Sequence, residues 1–280
     1  SLKKGWKVTS ISTRHPKKIR YLKKVKYILC DITKKNKLKN KILESYDYVV
    51  NLGGYVDHSD KKKTFESHYF GCKNLTDIFL KKPPAAFVQM GSCIEYGNSK
   101  SPQKENIKCN PKLIKSTYGK AKLLTTIYLV SLFRKKNFPS TILRLYLAYG
   151  PRQDINRFLP IIINGCIKNK KFPCSAGNQL RDFVYIDDVV DAFLCANNKK
   201  FQGFKVYNVS SCIKTTIEEL ISNMLNNLSY KVQIKYEGST PGDQFGIYGE
   251  NSLIKKELGW IPKYQLDEGI KEMVKWAKQI

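Results

Sequence analysis

Short apolar runs rich in Val, Ile, Tyr and Phe recur along the chain, separated by longer stretches with a helical rhythm of apolar positions. The short runs predict strands at 7–12, 27–30, 48–52, 86–90, 141–147, 183–186 and 205–209. The longer ones predict helices near 61–80, 117–136, 156–168 and 187–197. Tyr48-Val49-Val50-Asn51-Leu52 and Phe87-Val88-Gln89-Met90 are short and bounded by turn residues, as expected of strands buried on both faces. Strand and helix alternating in this way is the pattern of parallel βαβ units. After about residue 212 the rhythm changes to a helix at 215–228, a strand near 231–236, and helices at 251–258 and 266–279. An α/β fold with a smaller C-terminal lobe is expected, without internal repeats. The longest apolar run, 158–167, is broken by Pro160, Asn164 and Gly165, well short of the ~20 residues of a membrane span.

Composition narrows the classes. With 280 residues, 42% of them hydrophobic, the chain can build a real core, which excludes a disordered chain. Fifty basic against 23 acidic residues give a net charge of +27. Such a balance can mark a nucleic-acid or anionic-surface binder. Yet only seven of the fifty are Arg, and the lysines are spread along the whole chain rather than gathered in a stripe or arm. Base reading favours Arg, so a solvated basic surface is the plainer expectation. The eight cysteines include no Cys-x-x-Cys pair, and the three histidines are scattered, so no zinc-ligand spacing is present. Free thiols fit a reducing cytoplasm. No apolar leader segment stands in Ser-Leu-Lys-Lys-Gly-Trp-Lys, and a cytoplasmic protein is expected.

Candidate chemistry centres on Ser116-Thr117-Tyr118-Gly119-Lys120-Ala121-Lys122. Tyr118 and Lys122 are four apart and share one helix face. An ammonium beside a phenol favours the phenolate and lowers its pKa from ~10 toward neutrality. That makes Tyr118 a usable general acid/base for a hydroxyl or carbonyl proton. In a chain this rich in Lys and Tyr the spacing alone also describes an ordinary surface pair. Upstream, a strand ends in Met90-Gly91-Ser92-Cys93-Ile94-Glu95-Tyr96-Gly97. A hydroxyl at the carboxyl end of a parallel strand sits where open α/β sheets bind ligands, so Ser92 is a candidate to orient a substrate oxygen. The bland alternative is a turn serine.

Met90–Gly97, Tyr118-x-x-x-Lys122, Leu143-Arg144-Leu145, Tyr149-Gly150-Pro151-Arg152 and Arg181-Asp182-Phe183-Val184-Tyr185-Ile186-Asp187-Asp188 follow one another in a familiar order. So do Gly242-Asp243-Gln244, Glu257-Leu258-Gly259-Trp260-Ile261-Pro262 and Leu266-Asp267-Glu268-Gly269. Together they resemble the extended short-chain dehydrogenase/reductases, and more narrowly the NAD-dependent epimerase/dehydratase family acting on nucleotide sugars. The resemblance covers nearly the whole chain. It implies a doubly wound parallel, Rossmann-like sheet. Residues 1–150 would form the dinucleotide-binding domain, with 184–212 returning to it, and 151–280 mainly a substrate-binding lobe. It implies that Ser92 orients the substrate, that Tyr118 is the acid/base, and that Lys122 holds the nicotinamide ribose and tunes the tyrosine. Asp31 and Ile32 match the Asp-apolar pair that meets the adenine. Asn51-Leu52-Gly53-Gly54 matches the turn lining the cofactor's ribose and diphosphate. Arg181 matches the arginine that grips the substrate diphosphate, a task suited to a planar fork of donors. Asp243 falls at a further substrate-binding position. A homodimer is also implied, with no metal, no specific nucleic acid and no membrane.

Departures from the family pattern fall at Leu147, His68 and Thr240, where Asn, Asn and a second phosphate-binding Arg are usual. The diphosphate grip is thus expected to rest on Arg181. An acidic residue after the 7–12 strand would favour NAD. Ser12-Thr13-Arg14 stands there instead, and Arg14 would welcome a 2′-phosphate, so the cofactor is expected to be NAD or NADP with a lean toward NADP. No Gly-x-x-Gly-x-x-Gly turn occurs anywhere in the chain. Residues 2–8 read as the end of a first helix entering a second strand. A first strand and phosphate loop, about two dozen residues of a βαβ unit of ~30, are expected to precede them. The 7–12 and 48–52 strands should then not pair with each other.

The leading expectation is a nucleotide-sugar epimerase, most simply a 4-epimerase, with an NADP-dependent 4-keto-6-deoxy nucleotide-sugar reductase as the nearest rival. A 4,6-dehydratase is disfavoured, because Cys93 and Ile94 stand where such enzymes resemble Asp-Glu and Glu95 points the other way if the strand alternation continues. A non-catalytic Rossmann binding protein, or an inactive fragment, is the alternative from another class.

Overall fold

Strand and helix follow one another closely along the expected lines. The structure, a computed structural model, describes residues 1–168, 172–174, 177–197, 203–228, 234–236 and 246–279. The first half runs β1 (Val8–Ser12), β2 (Val25–Leu29), α1 (Lys35–Lys41), β3 (Tyr48–Asn51), α2 (Lys61–Phe65), α3 (Gly71–Phe79), β4 (Ala86–Ser92) and α4 (Thr117–Lys136). It continues through β5 (Ser140–Leu145), β6 (Leu147–Tyr149), α5 (Phe158–Ile167), β7 (Phe172–Cys174), β8 (Leu180–Arg181), β9 (Phe183–Tyr185), α6 (Ile186–Ala196) and β10 (Phe204–Val209). Last come β11 (Thr215–Thr216), α7 (Ile217–Leu228), β12 (Ile234–Tyr236), β13 (Gly246–Ile247), α8 (Ser252–Leu258) and α9 (Leu266–Ala277). β1 pairs in parallel with β2, and a four-stranded sheet runs in the order β10-β5-β4-β3. β3 joins β4 in parallel, Tyr48 opposite Ala86 and Asn51 opposite Gln89. This is the doubly wound α/β pattern. β1 and β3 belong to separate sheets and do not pair, as expected.

Packing divides the chain into two interleaved units. One holds Ser1–Gly91, Ile114–Ile142 and Ala196–Lys205; the other holds Ser92–Leu113, Leu143–Cys195 and Val206–Ile280. The sequence pattern placed one boundary near 150 and a returning segment at 184–212. By packing, Ser92–Leu113 and Leu143–Cys195 leave the first unit and Ile114–Ile142 and Ala196–Lys205 return to it, with crossings inside β4 and β5. Those strands are long enough for their two ends to pack in different surroundings. In the first unit the core forms around Phe87 and Val88 of β4, Leu129 of α4 and Phe138, with the Phe87 and Phe138 rings 5.4 Å apart. In the second, Leu159, Ile162 and Ile163 of α5 pack with Leu220 and Met224 of α7 and Ile270 and Met273 of α9.

Three local expectations are corrected. Val50 and Leu52 are 39% and 56% exposed, so β3 is not buried on both faces. It stands at the edge of its sheet, where less packs over it. The single strand foreseen at 141–147 breaks at Tyr146. Tyr146 N–H donates to Val209 O, whereas Leu147 N–H donates to Asp182 O, so the backbone changes partner between one residue and the next. The helix foreseen at 61–80 contains a π-helical turn, Glu66–Phe70, between α2 and α3.

Candidate active site

In the first unit, α4 begins at Ser116, whose Oγ accepts from Gly119 N–H at 3.0 Å, an N-cap that fixes where the helix starts. It ends at Asn137 in the left-handed region, φ 51°, with Arg134, Lys135 and Lys136 suiting the negative end of the helix dipole. Between these caps Lys122 lies on the inner face, only 1% exposed. A buried ammonium must be hydrogen-bonded, and Lys122 Nζ donates to Met90 O at 2.7 Å. It also lies 5.7 Å from the centroid of the Tyr118 ring, one turn back.

Tyr118 is half-buried among rings. His58 stacks on it with centroids 4.1 Å apart and planes 14° apart, and His68 meets it edge-on at 5.0 Å and 71°. His68 sits in the π-helical turn, the kind of irregularity that recurs at functional sites. Thr125 Oγ1 of α4 donates to the His68 carbonyl at 3.1 Å, tying the two elements together. His68 Nε2 lies 3.3 Å from Tyr55 O, which makes that nitrogen the donor and Nδ1 the acceptor. Nδ1 is buried and has no protein partner. Burial, and then the Lys122 charge, push the His68 pKa down to about 3, so the ring is neutral at physiological pH. Its approach depends on Gly54, where a Cβ would fall inside the imidazole ring.

Facing residues come from the strand ends of the same unit. Ser12 closes β1 exposed, with exposed Arg14 two residues on, and Cys30 N–H donates to Ser12 O at 2.9 Å. Asp31 follows β2, its Oδ1 accepting from Thr33 N–H and Thr33 Oγ1, both at 2.8 Å. Asn74 Nδ2 of α3 holds this turn through Ile32 O at 2.9 Å. The Ile32 side chain lies against Gly53, where a Cβ would come within 2.8 Å of Ile32 Cδ1. After β3, buried Asn51 shapes the loop: its Oδ1 accepts from Gly53 N–H at 3.0 Å and its Nδ2 donates to Gln89 Oε1 at 2.7 Å. Leu52 is exposed. The unit therefore brings together Asp31, Ile32, Gly53, Gly54, Tyr118 and Lys122, with Ser12 bonded to Cys30, the residue before Asp31.

Ser92 and Arg181 belong to the second unit. Ser92 is the last residue of β4 and caps a 3-10 turn, Cys93–Tyr96. Its Oγ accepts from Ile94 N–H at 3.4 Å, while Glu95 Oε1 accepts from Ser92 N–H at 2.9 Å. Glu95 is not on a continuing strand, so the expectation that it points away by strand alternation is corrected. It is fully buried and pairs with Arg144, Oε2 to Nε 3.0 Å. Sequence reasoning missed this pair although Ser92-x-x-Glu95 is a capping-box signature. His58 was missed too, and nothing in its sequence context signals a stack on Tyr118. Burial, then Asp182, push the Cys93 thiol pKa up to about 12, while Ser92 and Arg181 pull the other way. Arg181 is thus close enough to Cys93 for its charge to be felt. Its Nη1 donates to Leu180 O at 2.7 Å, and the residue is 8% exposed. Leu147 is 42% exposed on β6. Asp243 and Thr240 lie outside the described residues.

A crystal structure of UDP-glucose 4-epimerase with UDP-glucose, from Thermotoga maritima, superposes with a TM-score of 0.92 at 23% identity, covering 99% of this chain and 93% of that one. The fold is thus Rossmann-like α/β. Residues 1–210 match the model of the NAD dependent epimerase/dehydratase family, and the chain belongs to that family. Among curated relatives, a Methanocaldococcus jannaschii protein provisionally named a UDP-glucose 4-epimerase is 32% identical over 69% of this chain and 62% of its own length. The Escherichia coli dTDP-4-dehydro-6-deoxyglucose reductase is 28% identical over 72% of this chain and 63% of its own length. The chain spans less than two thirds of these relatives. The residues present suit a dinucleotide: a carboxylate after β2, a Gly53-Gly54 backbone bare of Cβ atoms, and a buried ammonium beside a phenol.

Proposed function

We propose that the chain carries the catalytic residues of a nucleotide-sugar 4-epimerase that works as a homodimer with bound NAD or NADP. One observation carries the reading: Lys122 Nζ is buried 5.7 Å from the Tyr118 ring centroid, on one face of α4. Tyr118 takes the proton of the sugar hydroxyl and later returns it. Lys122 stabilises the phenolate and holds the nicotinamide ribose; Asp31 and Ile32 meet the adenine side, and Gly53 and Gly54 admit the backbone close to the cofactor. A dinucleotide held there would supply reversible hydride chemistry at the sugar carbon. Ser92 Oγ accepts a backbone N–H, and its hydroxyl orients a substrate oxygen. Arg181 grips the nucleotide diphosphate. A 4,6-dehydratase is disfavoured: Cys93 and Ile94 cannot protonate a leaving hydroxyl, and both Glu95 oxygens are engaged.

The second reading, an NADP-dependent reductase, is favoured by exposed Arg14 in a stretch after β1, residues 12–18, that contains no acidic residue. Mass spectrometry of small molecules bound to the complete gene product, with turnover of UDP-glucose followed alongside, separates the readings. An epimerase keeps its dinucleotide through turnover; a reductase consumes it stoichiometrically; a binding protein shows no turnover. Tyr118→Phe should lower kcat by ~10²–10⁴ and leave dinucleotide binding nearly intact. A Phe variant with more than about half of wild-type activity would sink the mechanism.

A further inference from the structure

Glu95 and Arg144 form an ion pair buried to 0% and 4% exposure in the second unit. Such a pair is a poor source of stability, since apolar replacements of equal volume often do as well or better. What it does uniquely is fix a carboxylate. Oε2 is held by Arg144 Nε at 3.0 Å, and Oε1 receives the Ser92 amide at 2.9 Å. Arg144 is wedged in turn over the Tyr96 ring, 4.4 Å from its centroid. The Tyr96 hydroxyl donates to Asn208 Oδ1 at 2.7 Å, and Asn208 Nδ2 is spent on Gln103 O and Glu250 O. A chain of satisfied contacts therefore runs from β10 through Asn208, Tyr96, Arg144 and Glu95 to the backbone of Ser92.

We infer that Glu95, locked by Arg144, is the positioning residue for Ser92. The contact fixes Ser92 in its extended conformation, φ −157° and ψ 146°, at the point where β4 turns into the 3-10 turn. The direction of the Ser92 hydroxyl depends on that backbone, because χ1 starts at the same Cα. Orientation of a donor within a fraction of an ångström is what separates a useful hydrogen bond from an idle one. The inference rests on the reading that Ser92 touches a substrate oxygen.

The test compares Glu95→Gln with Glu95→Ala in the complete enzyme turning over UDP-glucose. Both variants leave Arg144 without a countercharge, so the lost charge affects both alike. Only Gln keeps an acceptor for the Ser92 amide. We expect Glu95→Ala to lower kcat at least tenfold with little change in KM, and Glu95→Gln to recover most of that loss. Faster hydrogen exchange of the Ser92 amide should accompany Ala and not Gln, a readout independent of turnover. In a Ser92→Ala background the Gln–Ala difference in kcat should vanish. Equal kcat and equal amide exchange for Gln and Ala overturn the inference, as does a Gln–Ala difference that persists without the Ser92 hydroxyl. If Ser92→Ala alone leaves kcat unchanged, it is the role of Ser92 that falls, whatever the amide exchange reports. Should an unpaired Arg144 prevent folding, the same comparison is made with Arg144→Leu.

Discussion

His68 stands where the family more often has Asn, and its surroundings give it a different character. Its ring is walled by Gly54, Tyr118 and the Tyr55 carbonyl, with the Lys122 ammonium near enough to oppose protonation. The folded-state pKa of about 3 lies below the usual His value of 6.5. Between those values the unfolded chain holds one proton more than the folded one. Stability contributed by this site is therefore complete above pH 6.5 and is lost as pH falls toward 3. The loss is on the order of a few kcal/mol. Chemical denaturation of the wild type and of His68→Asn at pH 7 and pH 4.5 should show a smaller acid-induced loss in the variant. Equal losses would mean that His68 is freely protonated in the folded protein.

At the scale of elements, the segment from β3 to α3 is shaped by one close approach. The loop after β3 carries Gly54, and the π-helical turn carries His68 into the space that a Cβ at residue 54 would need. Either the ring or the loop must move if a methyl group is added. Overpacking of this kind typically costs ~1–3 kcal/mol. Gly54→Ala should lower the thermal midpoint, and adding His68→Ala should restore part of it, because the obstruction is then removed. If the two losses simply add, the loop and the π-helical turn are not coupled through that contact.

For the whole molecule the net charge of +27 is the property most open to misreading. Described ion pairs such as Lys26–Glu44, Lys35–Asp77 and Lys263–Asp191 join exposed side chains, where water and salt screen them. Among the described residues most lysines are exposed to solvent. Binding to duplex DNA should therefore be weak, blind to sequence and steeply reduced by salt. A gel-shift titration at two salt concentrations with unrelated duplexes checks this. Tight retention of one sequence over another would show that the lysines form a built surface after all.

Much of the architecture was legible in the order of residues, because strand and helix periodicities differ and each buried face needs its own repeat. α4 is the clearest case: the pattern placed it at 117–136, and its Ser116 cap and basic last turn are local signals. The pairing of Tyr118 with Lys122 was equally local, since residues four apart on a helix must share a face. The surroundings of that pair were not. The stack of His58 on Tyr118, the neutral state of His68 and the carbonyl of Met90 under Lys122 join residues tens of positions apart. Only packing decides such contacts. Glu95 marks the boundary between the two kinds of information. Its capping box with Ser92 was written in four consecutive residues, but its burial against Arg144, 49 positions later, is what turned a turn-forming carboxylate into an anchor. Local sequence sets which conformations a short segment prefers. Long-range packing sets which side chains lose their water, and so which of them must find a partner.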